Sequence, residues 1–137
     1  MSPAEALSEK QLAEVFEFHK GQLVQELGYD DDVDLTLRDG IEDLIDADLE
    51  DEDSQEIVDG VIVWWRAGDG DLVDALVDSL STLVAGGPVW VLSPKPGRPG
   101  HVEPADIMEA ASVAGLRAMN AVSLAKDWSG TRLASRV

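Results

Sequence analysis

The chain has 137 residues, 45% of them apolar, with 28 aspartates and glutamates against ten lysines and arginines and a formal net charge of −18. That length and apolar content fit one domain with a real core and argue against wholesale disorder. The absence of cysteine excludes disulfides, thiolate nucleophiles, zinc thiolates and iron-sulfur clusters, and no apolar run is long enough to span a bilayer.

Residues 1–7 read as a flexible lead-in and 8–135 as the folded core of a single domain covering 1–137. Ser8 with Gln11 forms a capping box, and Leu7 with Leu12 fits the hydrophobic staple around it. Leu12, Val15, Phe16 and His19 share one helical face, which predicts a helix stopping near Lys20-Gly21 with His19 at the negative end of its dipole. Gln22 to Tyr29 stays open between a helical turn, through Leu23, Val24 and Leu27, and a short strand ending in Gly28. Beyond an acidic loop, Asp30 to Asp34, the residues Leu37, Ile41, Leu44, Ile45 and Leu49 predict a second helix with Thr36 as its cap. Asp48 to Glu56 reads as a solvated helix end and loop.

Ile57 to Ser93 fixes the fold class. Gly60 to Trp65 lacks polar alternation and is rich in β-branched and aromatic residues, as in a strand covered on both faces, so Trp64 and Trp65 point to opposite sides. Asp71 caps a helix with Asp74 in the capping-box position. Its stripe is Leu72, Val73, Leu76, Val77, Leu80, Leu83 and Val84, and Gly86-Gly87-Pro88 stops it. Val89 to Leu92 is a second buried strand, parallel to the first through a right-handed crossover. Ser93 to His101 is a proline-rich basic loop. Pro104 opens a helix with Ile107, Met108, Ala111 and Ala114 inward, closed by Gly115. Ala118 to Leu124 and Thr131 to Ser135 then form a hairpin around a loop at 125–130.

Four segments together resemble domain-of-unknown-function family 3052, an uncharacterised bacterial group: Trp64-Trp65-Arg66, Gly70 to Leu76, Val89 to Lys95, and Trp128 to Leu133. The resemblance implies the distal part of a Rossmann-like, methyltransferase-like fold. That is a single compact α/β domain with a mostly parallel sheet, a C-terminal antiparallel hairpin and helices on both faces. It also implies that Gln22 to Gln25 is the first strand and that S-adenosylmethionine is the cofactor to consider. Methyltransferases of this kind place a glycine-rich turn after the first strand. Here the turn is Leu27-Gly28-Tyr29-Asp30-Asp31-Asp32, with one glycine followed by bulk and negative charge.

In open α/β sheets ligands bind beyond the carboxyl ends of the strands. Three loops are expected to meet there, and Gly28, Asp30, Arg66, Asp69, Lys95 and Arg98 are the candidate cleft residues. Their opposed charges either clamp a zwitterion or pair and close the mouth; closure or a protein-facing role is the expectation. No catalytic residue is assigned, because there is no glycine-flanked serine elbow and only His19 and His101 could act as a histidine base. No metal site is expected, because neither Asp69-Gly70-Asp71 nor Asp46 to Asp51 matches a calcium loop. Trp128 reads as a turn-packing residue, with Arg132 available to an acid of the acidic stretch between Glu26 and Asp74.

Between Glu26 and Asp74 nineteen acids face two bases, Arg38 and Arg66, for a local net of −17, while the remainder carries nine acids and eight bases. Such a pole repels phosphate backbones and attracts basic protein surfaces. The expectation is a small cytoplasmic protein, non-catalytic, without cofactor, acting through a basic protein partner rather than nucleic acid or membrane. The alternatives are an S-adenosylmethionine binder with an altered nucleotide site and an acidic mimic of nucleic acid.

Overall fold

Helices and strands alternate through most of the chain: α1 Glu9–Phe16, β1 Val24–Leu27, α2 Leu35–Ile45, β2 Gly60–Trp64, α3 Leu72–Leu80, β3 Val89–Pro94, α4 Pro104–Val113, β4 Leu116–Ala118, β5 Val122–Ser123 and β6 Trp128–Ser135. They belong to a computed structural model that describes residues 9–135, so the capping box at Ser8, the staple at Leu7 and the expected lead-in lie outside the described residues. The sheet runs β1-β2-β3-β6-β4, with β5 also paired to β6. β1, β2 and β3 are parallel, and β6 is antiparallel to β3, β4 and β5.

The open segment at 22–29 contains a strand, at Val24–Leu27 rather than Gln22 to Gln25, in register with β2 from Val24 opposite Gly60 to Leu27 opposite Val63. Because successive strand residues face opposite sides, the sheet divides two cores. On one side Phe16 of α1 and Ile41 and Ile45 of α2 cover Ile62, Trp64, Trp90 and Trp128. On the other, Leu72 and Leu76 of α3 and Ile107 and Ala111 of α4 cover Val61, Val63, Val89, Val91 and Leu133. Each large side chain buried in this way stabilises the fold by about 1.5–3 kcal/mol. Trp64 is fully buried in the first core, and Trp65 packs against the second, as their adjacency requires.

Several boundaries differ from the sequence reading, some for local reasons and one through tertiary contacts. α1 ends at Phe16 because Glu17 takes a left-handed φ of 59°. Phe18 then folds back to stack on Phe16 at 5.5 Å, which leaves His19 exposed in a loop rather than on the helix. The cap of α2 is Asp34, not Thr36: Asp34 Oδ1 accepts the Leu37 amide at 2.8 Å. Asp71 caps α3 as expected, accepting the Val73 amide at 2.9 Å. That helix stops at Leu80, well before Gly86. The Thr82 carbonyl accepts the Val58 amide at 2.8 Å and its hydroxyl donates to Gln25 at 2.6 Å, so the chain is drawn into a bridge between Val58 and Leu83. Met108 is exposed, because Ile107, Ala110 and Ala111 carry the buried face of α4. The first strand of the hairpin is split into β4 and β5, and Trp128-Ser129-Gly130 lies within β6 rather than in a loop.

Candidate functional site

β1 and β2 end side by side, so the turns that follow them meet. Gly28 takes a φ of +78°, and a β-carbon there would run into the Trp64 carbonyl oxygen. That close approach puts the Gly28 carbonyl within reach of Arg66. Arg66 Nε donates to Asp32 Oδ2 at 2.9 Å and Nη2 to Oδ1 at 2.6 Å, a two-pronged pair. Its Nη1 donates to the carbonyls of Gly28 at 2.8 Å and Trp64 at 3.2 Å, with Asp69 Oδ2 at 3.4 Å. Trp128 closes the cluster: its ring lies 5.4 Å from the guanidinium carbon, and its Nε1 donates to the Asp32 carbonyl at 3.3 Å. Burial is the largest single influence on Arg66 and works against its charge, but the hydrogen bonds and charges of Asp32 and Asp69 together outweigh it and leave the guanidinium more basic than usual. The same bond holds the Asp32 carboxyl below its ordinary range.

Below this plug lies a second ion pair that the sequence reading missed. Glu26, buried on β1, accepts Arg38 Nε at 2.6 Å, Arg38 Nη2 at 2.8 Å and Trp64 Nε1 at 2.8 Å. Arg38 also sits over the Tyr29 ring at 4.9 Å. The signal was a lone acid among Val24, Gln25 and Leu27, matched by a lone base in the next helix. Both bases of the acidic pole are therefore consumed internally.

The third loop meets the second through its backbone, where the Ala67 amide donates to the Gly100 carbonyl at 2.9 Å. Its cations do not join the cleft. Arg98 Nε lies 2.9 Å from Asp127 Oδ1 without hydrogen-bond alignment, and the Lys95 amide donates to the Asp127 carbonyl at 2.9 Å. Arg132 stands opposite Trp90 across β3 and β6, and no described acid pairs with it, contrary to expectation.

Of the six candidate residues, Gly28, Asp30, Arg66 and Asp69 line one groove of about 570 Å³, whereas Lys95 and Arg98 lie outside it. The groove runs between the end of β1, residues 52–55 and α3. Gln25 ties these walls together, donating to the carbonyls of Asp51 at 3.0 Å and Ser54 at 3.2 Å while accepting from Thr82. β1 is the edge of the sheet, and its outer side is bridged by Glu50, with Glu26 N donating to Glu50 O at 2.8 Å and Glu50 N to Val24 O at 2.9 Å. The reversal of strand order that opens a ligand crevice in doubly wound sheets does not occur between these parallel strands. Among the described residues no group of three or more histidines and carboxylates is arranged to hold a metal ion.

The sequence profile of a family described as Protein of unknown function (DUF3052) matches residues 13–137. The chain belongs to DUF3052. Similar uncharacterised proteins occur in Mycobacterium bovis and Mycobacterium tuberculosis, each 49% identical over 114 residues, which is 83% of this chain and 72% of theirs. Among solved structures, an S-adenosylmethionine-dependent methyltransferase from Aquifex aeolicus superposes with a TM-score of 0.62 at 12% identity, covering 97% of this chain and 93% of that one. The CcbJ methyltransferase from Streptomyces caelestis gives 0.56 at 11%, covering 100% and 97%. The DUF3052 chain thus has a methyltransferase-like α/β fold. In this DUF3052 member the turn after β1 is filled by its own Arg66.

Proposed function

We propose that this protein is a non-catalytic binding protein whose acidic pole takes a basic surface of another protein. One observation carries the reading. At the strand ends Arg66 and Arg38 are spent on Asp32, Asp69 and Glu26, while Asp30, Asp31, Asp39, Asp43, Glu52 and Asp53 remain exposed. A surface of that kind attracts and orients a basic partner over a Debye length. The test is capture from lysate at low salt with mass-spectrometric identification. Raising ionic strength from about 0.05 to about 0.5 M should weaken a captured partner's affinity by about tenfold or more. A partner indifferent to salt, or one retained after Asp30, Asp31 and Asp53 are changed to asparagine, would argue against the pole.

The methyltransferase-like fold favours a second reading, an S-adenosylmethionine binder. The helix that would receive an anionic group, α2, has its first turn capped by Asp34 beside Asp30, Asp31 and Asp32. Calorimetry with S-adenosylmethionine separates the two readings: saturable heat at micromolar ligand supports the second, and none at millimolar ligand removes it.

A further inference from the structure

We propose that the groove beside β1 seats a lysine or arginine side chain of the partner. The proposal rests on the basic-partner reading above and names where and how the contact is made. Two acidic hollows of similar volume flank the pole. One, of about 520 Å³ near the end of α2, is lined by Asp39, Glu42, Asp43, Asp46, Ala47 and Asp48 and has no aromatic wall. The other, of about 570 Å³, carries Asp30, Glu52 and Asp78 together with Leu27, Trp65 and Tyr29.

This second combination suits a long cationic side chain. The methylene stem takes the apolar wall, the charged head takes the carboxylates, and the aromatic faces add cation-π attraction. Tyr29 already accepts one guanidinium in this manner, that of Arg38 at 4.9 Å. The cation within the groove, Arg66, is turned onto Asp32, Asp69 and two carbonyls, so it does not neutralise Asp30, Glu52 or Asp78. Gln25 fixes the wall at 51–54 and the end of α3 to β1, so the carboxylates are held on both sides of the gap. An anionic ligand meets three carboxylates there and is repelled.

The probes are penta-arginine and penta-lysine peptides, titrated by calorimetry at low ionic strength. Three proteins are compared: the native chain, a groove triple (Asp30→Asn, Glu52→Gln, Asp78→Asn) and a control triple (Asp39→Asn, Asp43→Asn, Asp48→Asn). Both triples lose the same charge, and circular dichroism checks that each is folded. The groove triple should weaken penta-arginine by about tenfold, as three lost ion pairs require, and the control by about threefold or less through the general field. Trp65→Leu, which keeps the apolar wall and loses the ring, should cost a further two- to fivefold, about what an exposed cation-π contact supplies. Equal losses in the two triples would overturn the groove and leave the acidic pole standing. No binding of either peptide to the native chain at low salt would overturn the groove and the pole together. Displacement of bound peptide by S-adenosylmethionine would assign the groove to the cofactor instead.

Discussion

Arg66 and Gly28 make one device, and substitutions should separate its parts. Gly28→Ala places a β-carbon against the Trp64 carbonyl and forces a positive φ on an ordinary residue. It should lower unfolding free energy by about 1–3 kcal/mol, read as a shift of the urea midpoint. The pH dependence of the device is set by Asp32. Its folded pKa lies below the unfolded value of about 3.8, so the pair adds stability above that pH and loses it as pH falls through the lower folded value. Acid unfolding of Asp32→Asn, followed by circular dichroism, should therefore show a shallower loss below about pH 4 than the native chain. Asp32 is half-exposed, so the effect is modest. Glu26 is the stricter case. Glu26→Ala leaves Arg38 and the Trp64 indole without their buried acceptor, and thermal or urea unfolding should show a loss of about 3–5 kcal/mol. Glu26→Gln keeps an acceptor oxygen and should lose less.

At the scale of elements, what was legible is what local chemistry alone decides. The crossover from β2 through α3 to β3 could be read from uninterrupted apolar runs, Asp71 as a cap and Pro104 at a helix start, because each acts within a few residues. Some of the misreadings arise where a contact distant in sequence overrode the local pattern. Thr82 falls on the polar face of the predicted helix, yet its hydroxyl goes to Gln25, 57 residues away, and the helix ends before it, at Leu80. Glu26 and Gln25 look foreign to a buried strand until Arg38 and Thr82 are placed beside them. Four of the six candidate site residues came together because they follow adjacent strand ends. Lys95 and Arg98 did not, since the antiparallel β6 brings Asp127 next to their loop and draws it away from the acidic turn.

Across the whole molecule, the formal charge of −18 is a cost to the compact state, whatever it contributes to the proposed recognition. Exposed carboxylates from the turn after β1, from α2 and from residues 51–56 repel one another in the folded chain more than in the expanded one. Thermal unfolding monitored by circular dichroism should accordingly shift upward by a few degrees, roughly 3–6 °C, as sodium chloride rises from about 0.01 to about 0.5 M. Salt is thus expected to act in opposite directions on the free protein and on the proposed complex. The methyltransferase-like sheet carries a packed core on each face, and its strand-end turn is occupied by an internal ion pair.

The division of the molecule by its sheet also gives it two optical compartments. Trp64, Trp90 and Trp128 share the core beneath α1 and α2, and Trp65 is the single indole on the α3 side. Emission from the first three reports the integrity of one layer, while the signal lost in Trp65→Phe isolates the other. Two consecutive residues, separated only by the alternation of a strand, therefore let an experimenter follow unfolding of one layer and events at the opposite surface as separate signals from the same chain.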